Sequence, residues 1–135
     1  MTTLNPYLSF RDNAKEAMTF YQSVFGGVLN ISTFGEYHAS EDPAEQDKIM
    51  HAMLSTANGM VLMGADTPNG MDYQPGSSIS VSLSGADEAE LRGYFDKLAD
   101  GGQVTVAMEK APWGDVFGMC TDRFGTDWLV NVGPA

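Results

Sequence analysis

Two windows of the chain alternate strictly between apolar and polar positions, and each leads into an amphipathic helical pattern. In the first, Leu4, Pro6, Leu8 and Phe10 share one parity and Asn5, Tyr7 and Ser9 the other, the period of a strand with two unlike faces. A helix is predicted next, with Asn13 as its cap, Glu16 in capping-box spacing and Ala17, Phe20, Tyr21, Val24 and Phe25 as its apolar stripe. Gly26-Gly27 ends it. In the second window Ser78, Ser80, Ser82 and Ser84 alternate with Ile79, Val81 and Leu83. The helix after it takes Asp87 as cap, Glu90 in the box position, Leu91, Tyr94, Phe95 and Leu98 as its stripe, and Gly101-Gly102 as its stop.

The two halves are one unit written twice. A shift of 75 positions superimposes the two Gly-Gly pairs, Phe20 on Phe95, Leu8 on Leu83 and Asn5 on Ser80. Beyond the helices, HAMLSTANGMVLMG from His51 and FGMCTDRFGTDWLV from Phe117 both read as strand, turn, strand, with Gly59 and Gly125 in matching turn positions. Each half is thus predicted as βαβββ. The halves differ mainly in the insert 37–48, YHASEDPAEQDK, whose acids and proline read as a solvated loop. The expected fold class is α+β: one domain over 1–135, with a first module of about 1–70 and a second of about 76–133. Its curled mixed sheets would form a cup-shaped cavity, with the serines and Asn5, Tyr7 and Ser9 facing inward and the opposite strand faces packing on the helices.

Length and composition suit this picture: 135 residues at 43% hydrophobic content can bury a core without staples. A formal charge of −11 repels phosphate backbones and anionic membrane surfaces, so no nucleic-acid and no membrane partner is expected. Cys120 is the only cysteine, which rules out an internal disulfide and a cysteine zinc site; it is expected as a buried thiol. MTTLNPYLSF lacks a basic region followed by a long apolar stretch, so a cytoplasmic location is expected.

The stretches PYLSF, FYQSVFGG, FGE at 34–36, HAML at 51–54, VLMGAD at 61–66 and WGDVFGMCTDRFGTDWLVNV at 113–132 resemble the vicinal oxygen chelate superfamily of glyoxalases, extradiol dioxygenases and bleomycin-resistance proteins, and within it the PhnB-like group. The resemblance implies paired βαβββ modules, usually in a homodimer. In catalytic members it also implies a divalent metal held by His, Glu or Gln at four inward strand positions, where it acts as a Lewis acid. Carried over residue by residue, those positions fall on Asn5, Met63, Ser80 and Leu129. Thioether and hydrocarbon side chains do not hold a hard or borderline cation, and Asn with Ser brings no anionic ligand. No metal and no other cofactor is therefore expected. A methyltransferase label is carried by many members of the group, but no glycine-rich loop follows a strand here to cradle a methyl-donor nucleotide, so methyl transfer is not expected.

Other oxygen and nitrogen donors are few: His51, His38, Glu36, Asp66, Asp115 and Asn131. His38 borders the acidic insert and reads as solvated. His51 opens a strand whose inward face should carry His51, Met53 and Ser55. It reads either as an imidazole bonded to a neighbouring strand or as a general base, since imidazoles titrate near neutrality. Tyr7 and the serine hydroxyls are the donors available to support it. Tyr7, Met53, Met63, Ser80, Ser82, Met119 and Asn131 are the expected ligand-facing set, with Trp113 in the turn PWGD as a lid or a subunit contact. Methionines on such a face suit an apolar or aromatic small molecule, although ordinary core packing also uses them. Trp128, on the parity of Val130, should pack under a helix. Three functions follow: a metal-independent small-molecule-binding protein, working as a homodimer; a glyoxalase-like lyase or isomerase using His51 beside a carbonyl; or an interaction module whose cavity is filled by its own side chains.

Overall fold

The computed structural model describes residues 2–38 and 41–134. The chain divides into two compact units, one running to Pro75 and the other starting at Gly76. The first contains β1 (Tyr7–Phe10), α1 (Ala14–Phe25), β2 (Val28–Thr33), a 3-10 turn (Pro43–Glu45), β3 (Ile49–Ser55) and β4 (Val61–Asp66). The second contains β5 (Val81–Gly85), α2 (Glu88–Ala99), β6 (Gln103–Lys110), β7 (Val116–Thr121) and β8 (Asp127–Val132). Both sheets are four-stranded with the same order, β1-β4-β3-β2 and β5-β8-β7-β6. In each the first strand runs parallel to the last and the remaining pairs are antiparallel. The α+β fold of two βαβββ modules expected from the repeat is the observed one. No helix among the described residues is long and apolar enough to cross a membrane.

Each helix covers one face of its own sheet. In the first unit Ala14, Ala17, Met18, Tyr21 and Val24 are buried against Ile49, Ala52, Leu54 and Leu62. Gly64, on the same face of β4, leaves room for the Phe10 ring and the Met18 sulfur. In the second unit Leu91, Phe95 and Leu98 cover Trp128, Val130 and Val132. Trp128, 1% exposed, lies under the helix side of its sheet as its parity predicts. The second glycine of each Gly-Gly pair sets how closely the helix exit approaches the sheet: a Cβ on Gly27 would fall on the Ser55 carbonyl, and one on Gly102 on the Thr121 carbonyl.

The two hairpin turns are built alike. Gly59 and Gly125 adopt φ of 87° and 90° and donate to Thr56 and Asp122 carbonyls at 3.1 and 3.0 Å. The residue that opens each turn also accepts with its side chain, Thr56 Oγ1 from the Met60 N–H and Asp122 Oδ1 from the Thr126 N–H. Asp122 Oδ2 accepts from the Trp128 indole at 2.9 Å, tying the turn to the core.

Several local expectations are corrected. Asn13 makes no capping hydrogen bond. Asp66 at the end of β4 does this work, accepting from the Ala14 N–H through Oδ1 and from the Ile49 N–H through Oδ2, both at 2.9 Å. By contrast Asp87 caps α2 as expected, accepting from the Glu90 N–H at 3.1 Å. Both first strands begin later than the alternation suggests. Leu4, fully exposed, and Ile79, 82% exposed, precede β1 and β5 instead of packing under a helix, and Pro6 is exposed too. Alternation alone did not place these starts, because an edge strand extends only as far as its single partner accompanies it.

The insert is also more than a solvated loop, although residues 39 and 40 lie outside the described ones. Phe34 and Gly35 donate to the Lys48 and Gln46 carbonyls. Glu45, only 3% exposed, accepts from the Asn69 N–H at 2.8 Å and faces Lys48 Nζ at 3.1 Å. Lys48 also pairs with Asp12 at 2.9 Å and donates to Asn69 Oδ1. A buried carboxylate persists only when charge and hydrogen bonds compensate it, and this cluster supplies both.

Candidate functional site

The helix-free face of the first sheet is set by register. Tyr7 pairs with Met63, Met63 with Met53, and Met53 with Asn30, so these four side chains form one row across β1, β4, β3 and β2. His51, paired with Ser32, stands in the adjoining row on β3. Tyr7 and His51 therefore sit on strands that flank β4, two strand spacings and two residues of rise apart, about 12 Å at the backbone. Their long side chains bridge that distance over β4, where Ala65, the next residue on this face after Met63, is small. Tyr7 Oη lies 3.3 Å from His51 Nδ1, and the rings stand 5.8 Å apart between centroids, tilted by 34°. Desolvation pushes the Tyr7 hydroxyl pKa up from its ordinary value, so the phenol keeps its proton near neutrality. The face is neither sealed nor fully open: Tyr7 is 50% exposed, while His51, Met53 and Met63 are half-buried.

The corresponding face of the second sheet carries a different set. Ser82 pairs with Leu129, Leu129 with Met119, and Met119 with Val106. In the next row Ser84 pairs with Asn131 and Asn131 with Phe117. Asn131 Nδ2 donates to Asp115 Oδ2 at 3.0 Å. Trp113, at the tip of the β6–β7 turn and 61% exposed, packs edge-on against Phe117 with centroids 5.4 Å apart. Ser80 lies ahead of β5 and is exposed, and Asn5 lies ahead of β1 with its amide donating to Thr3 Oγ1. Within the first unit, then, the structure brings Tyr7, His51, Met53 and Met63 together. In the second it groups Ser82, Met119 and Leu129, with Asn131 and Trp113 beside Phe117.

Among the described residues the candidate donors do not come together around a divalent metal. Met63 stands in an apolar row, Leu129 offers no donor atom, and Glu36 and His38 are exposed on the turn after β2. Asp66 spends both carboxylate oxygens on backbone N–H groups beneath α1. Among the described residues no three His, Cys, Asp or Glu side chains converge as ligands. An open cleft of about 550 Å³ does exist in the first unit, but on the helix side. Asp12, Lys15, Glu16, Asp47 and Lys48 line it, and the Lys48–Asp12 ion pair spans part of its charged rim.

Sequence reasoning missed the structural work of Glu45, Asp66 and Asp122. Only Asp66 carries a local signal: it follows Leu62 and Gly64 on the buried parity of β4, where an acid needs a partner.

Two four-stranded mixed sheets, each covered by one helix, define the class: the glyoxalase, bleomycin-resistance and dioxygenase fold. A glyoxylase/bleomycin resistance protein/dioxygenase domain from Frankia sp. EAN1pec shares it at a TM-score of 0.67, with 15% identity and 98% of both chains covered. Residues 2–131 match the model of the family described as 3-demethylubiquinone-9 3-methyltransferase, and the chain belongs to that family. The protein PA1353 from Pseudomonas aeruginosa is 35% identical, with a TM-score of 0.83 and both chains covered completely. The PhnB protein from Bacillus cereus is 25% identical at a TM-score of 0.75, over 98% of this chain and 100% of that one. The resemblance to the PhnB-like group is borne out.

Proposed function

We propose that this PhnB-like, glyoxalase-like chain binds and sequesters a hydrophobic or aromatic small molecule, as a homodimer and without the metal centre of the catalytic superfamily members. The observation that carries the reading is the Tyr7–His51 pair, 3.3 Å apart, beside the Met63–Met53 row on the helix-free face of the first sheet. Methionine thioethers adapt to apolar ligands of varied shape, and one polar pair at the edge of such a floor orients what lands on it. Ser82, Met119, Asn131 and Trp113 give the second module a similar mixture. The methyltransferase description belongs to the family; we do not extend it to this chain, which has no glycine-rich loop after a strand.

The test is thermal unfolding in a panel of neutral aromatic compounds, acetophenone among them. A ligand present at about 100 times its dissociation constant stabilises by about 2.7 kcal/mol, a shift of several degrees for a chain of this size. Met53→Asp should abolish the shift. A panel that leaves the midpoint unmoved sinks the reading.

The same pair favours a second reading, a glyoxalase-like lyase or isomerase in which His51 moves a proton next to a carbonyl and the Tyr7 hydroxyl steadies the developing oxyanion. Metal analysis of the purified protein separates the two. Stoichiometric metal that disappears in His51→Ala would replace the binding-only reading with the enzymatic one.

A further inference from the structure

We propose that Tyr7 is a positioning residue: its hydroxyl donates to Nδ1 of His51, holds the imidazole with its proton on Nε2, and makes the first module's helix-free face select apolar compounds that carry a neutral accepting oxygen, such as a ketone. The inference rests on the small-molecule-binding reading above and adds the chemistry that the ligand must bring.

The geometry leaves two ways to share one proton between Tyr7 Oη and His51 Nδ1. Either the phenol donates to a bare Nδ1, or Nδ1–H donates to the phenol oxygen. A phenol is a better donor than acceptor, a bare imidazole nitrogen is the stronger acceptor of the two, and neutral histidine already favours the proton on Nε2. All three preferences point the same way. With Nδ1 occupied, Nε2–H is what the imidazole has left to offer, and it is a donor only.

The neighbours narrow the ligand further. Met63 and Met53 offer only thioether sulfur, a weak acceptor, and apolar surface, while polar Asn30 and Ser32 stand on β2 at the far edge of the face, so the part of the ligand over β3 and β4 is apolar. A carboxylate would also accept from Nε2–H, but the chain carries a formal charge of −11 and repels anions. A neutral carbonyl meets both conditions. A ligand whose polar atom only donates would face a donor and leave both groups unpaired.

The chain has two histidines, His38 and His51, so histidine-labelled protein gives two imidazole spin systems, assigned with a His38→Gln variant. At about pH 8.5, above the ordinary imidazole range, ¹⁵N spectra should show a pyridine-like Nδ1 and a pyrrole-like Nε2 for His51. In Tyr7→Phe, which keeps the ring, that signature should relax toward a tautomeric mixture. An Nδ1–H signature, or no response to Tyr7→Phe, overturns the assignment.

Binding is then compared for acetophenone and α-methylstyrene, which has the same shape with CH₂ in place of the carbonyl oxygen. Acetophenone should bind roughly fivefold tighter, as one added hydrogen bond allows, and the preference should shrink in Tyr7→Phe. Equal affinities overturn the selectivity. If neither compound binds while the Nε2–H signature holds, the small-molecule reading falls and the role of Tyr7 as the setter of the tautomer stands.

Discussion

Glu45, Asp66 and Asp122 are between 3% and 5% exposed, in a chain whose acid excess would otherwise face water. Each is held by donors: the Asn69 N–H and Lys48 for Glu45, two backbone N–H groups for Asp66, and two backbone N–H groups with the Trp128 indole for Asp122. Asp122 also acts on Cys120. Burial first, then the Asp122 and Asp127 charges, push this thiol up from 9.0 to about 11. The folded state therefore keeps a proton that the unfolded chain loses above about 9. Folding is favoured in full below that pH, and the advantage fades as pH rises from about 9 to about 11. At about 1.4 kcal/mol per pH unit, the loss across the window is of the order of 2–3 kcal/mol. Urea titrations of wild type and Cys120→Ala should converge over that range, because the variant has no thiol to titrate; parallel curves would show that the thiol is not protected. Under native conditions at neutral pH, Cys120 should react with a disulfide reagent only as fast as the protein opens.

At the scale of elements, the helices test their glycines in opposite directions. Gly93 lies inside α2, and a Cβ there meets nothing within 4 Å. Gly93→Ala should therefore stabilise by about 0.5–1 kcal/mol through helix propensity alone. Gly102 follows the same helix, and a Cβ there would strike the Thr121 carbonyl, so Gly102→Ala should destabilise by about 1–3 kcal/mol. Denaturant midpoints of the two variants should move apart; a shared direction would mean that the helix exit yields more easily than its backbone contact suggests. Most of each helix stripe, both Gly-Gly stops and the paired hairpins were legible in the sequence because periodicity and turn chemistry are local, but the buried Met18 lay outside the expected stripe and Phe20, Phe25 and Tyr94 are only half-buried. The strand starts at Tyr7 and Val81 were not, since the partner strand sets them. The candidate site was legible by halves. Parity placed His51, Met53 and Met63 on one face, but the meeting of Tyr7 with His51 depends on β1 lying beside β4, a long-range pairing that alternation does not encode.

At the scale of the whole molecule, the repeat kept the strand order and changed part of what the faces carry: histidine and tyrosine beside two methionines in one unit, serines and leucine beside one methionine in the other. The charge of −11 acts on both. The ion pairs Arg92–Glu88 and Arg123–Asp100 are exposed and contribute little, so self-repulsion should outweigh them. Raising salt from about 0.02 M to about 0.3 M, which shortens the screening length severalfold, should raise the thermal midpoint. A fall would show that the Lys48 cluster with Asp12 and Glu45 matters more than the global field.

The cap on α1 is supplied across 52 positions of sequence, whereas α2 takes its cap from Asp87, three positions from the N–H that it holds. One helix can be closed as soon as it is synthesised; the other waits for β4 to leave the ribosome and return beside β1. Loop closure sets that delay. A fragment cut short of residue 66 would carry α1 with its first turn open, while a fragment beginning at Gly76 would bring its own closure with it. The symmetry of the two modules thus conceals two ways of closing a helix, one long-range and one local.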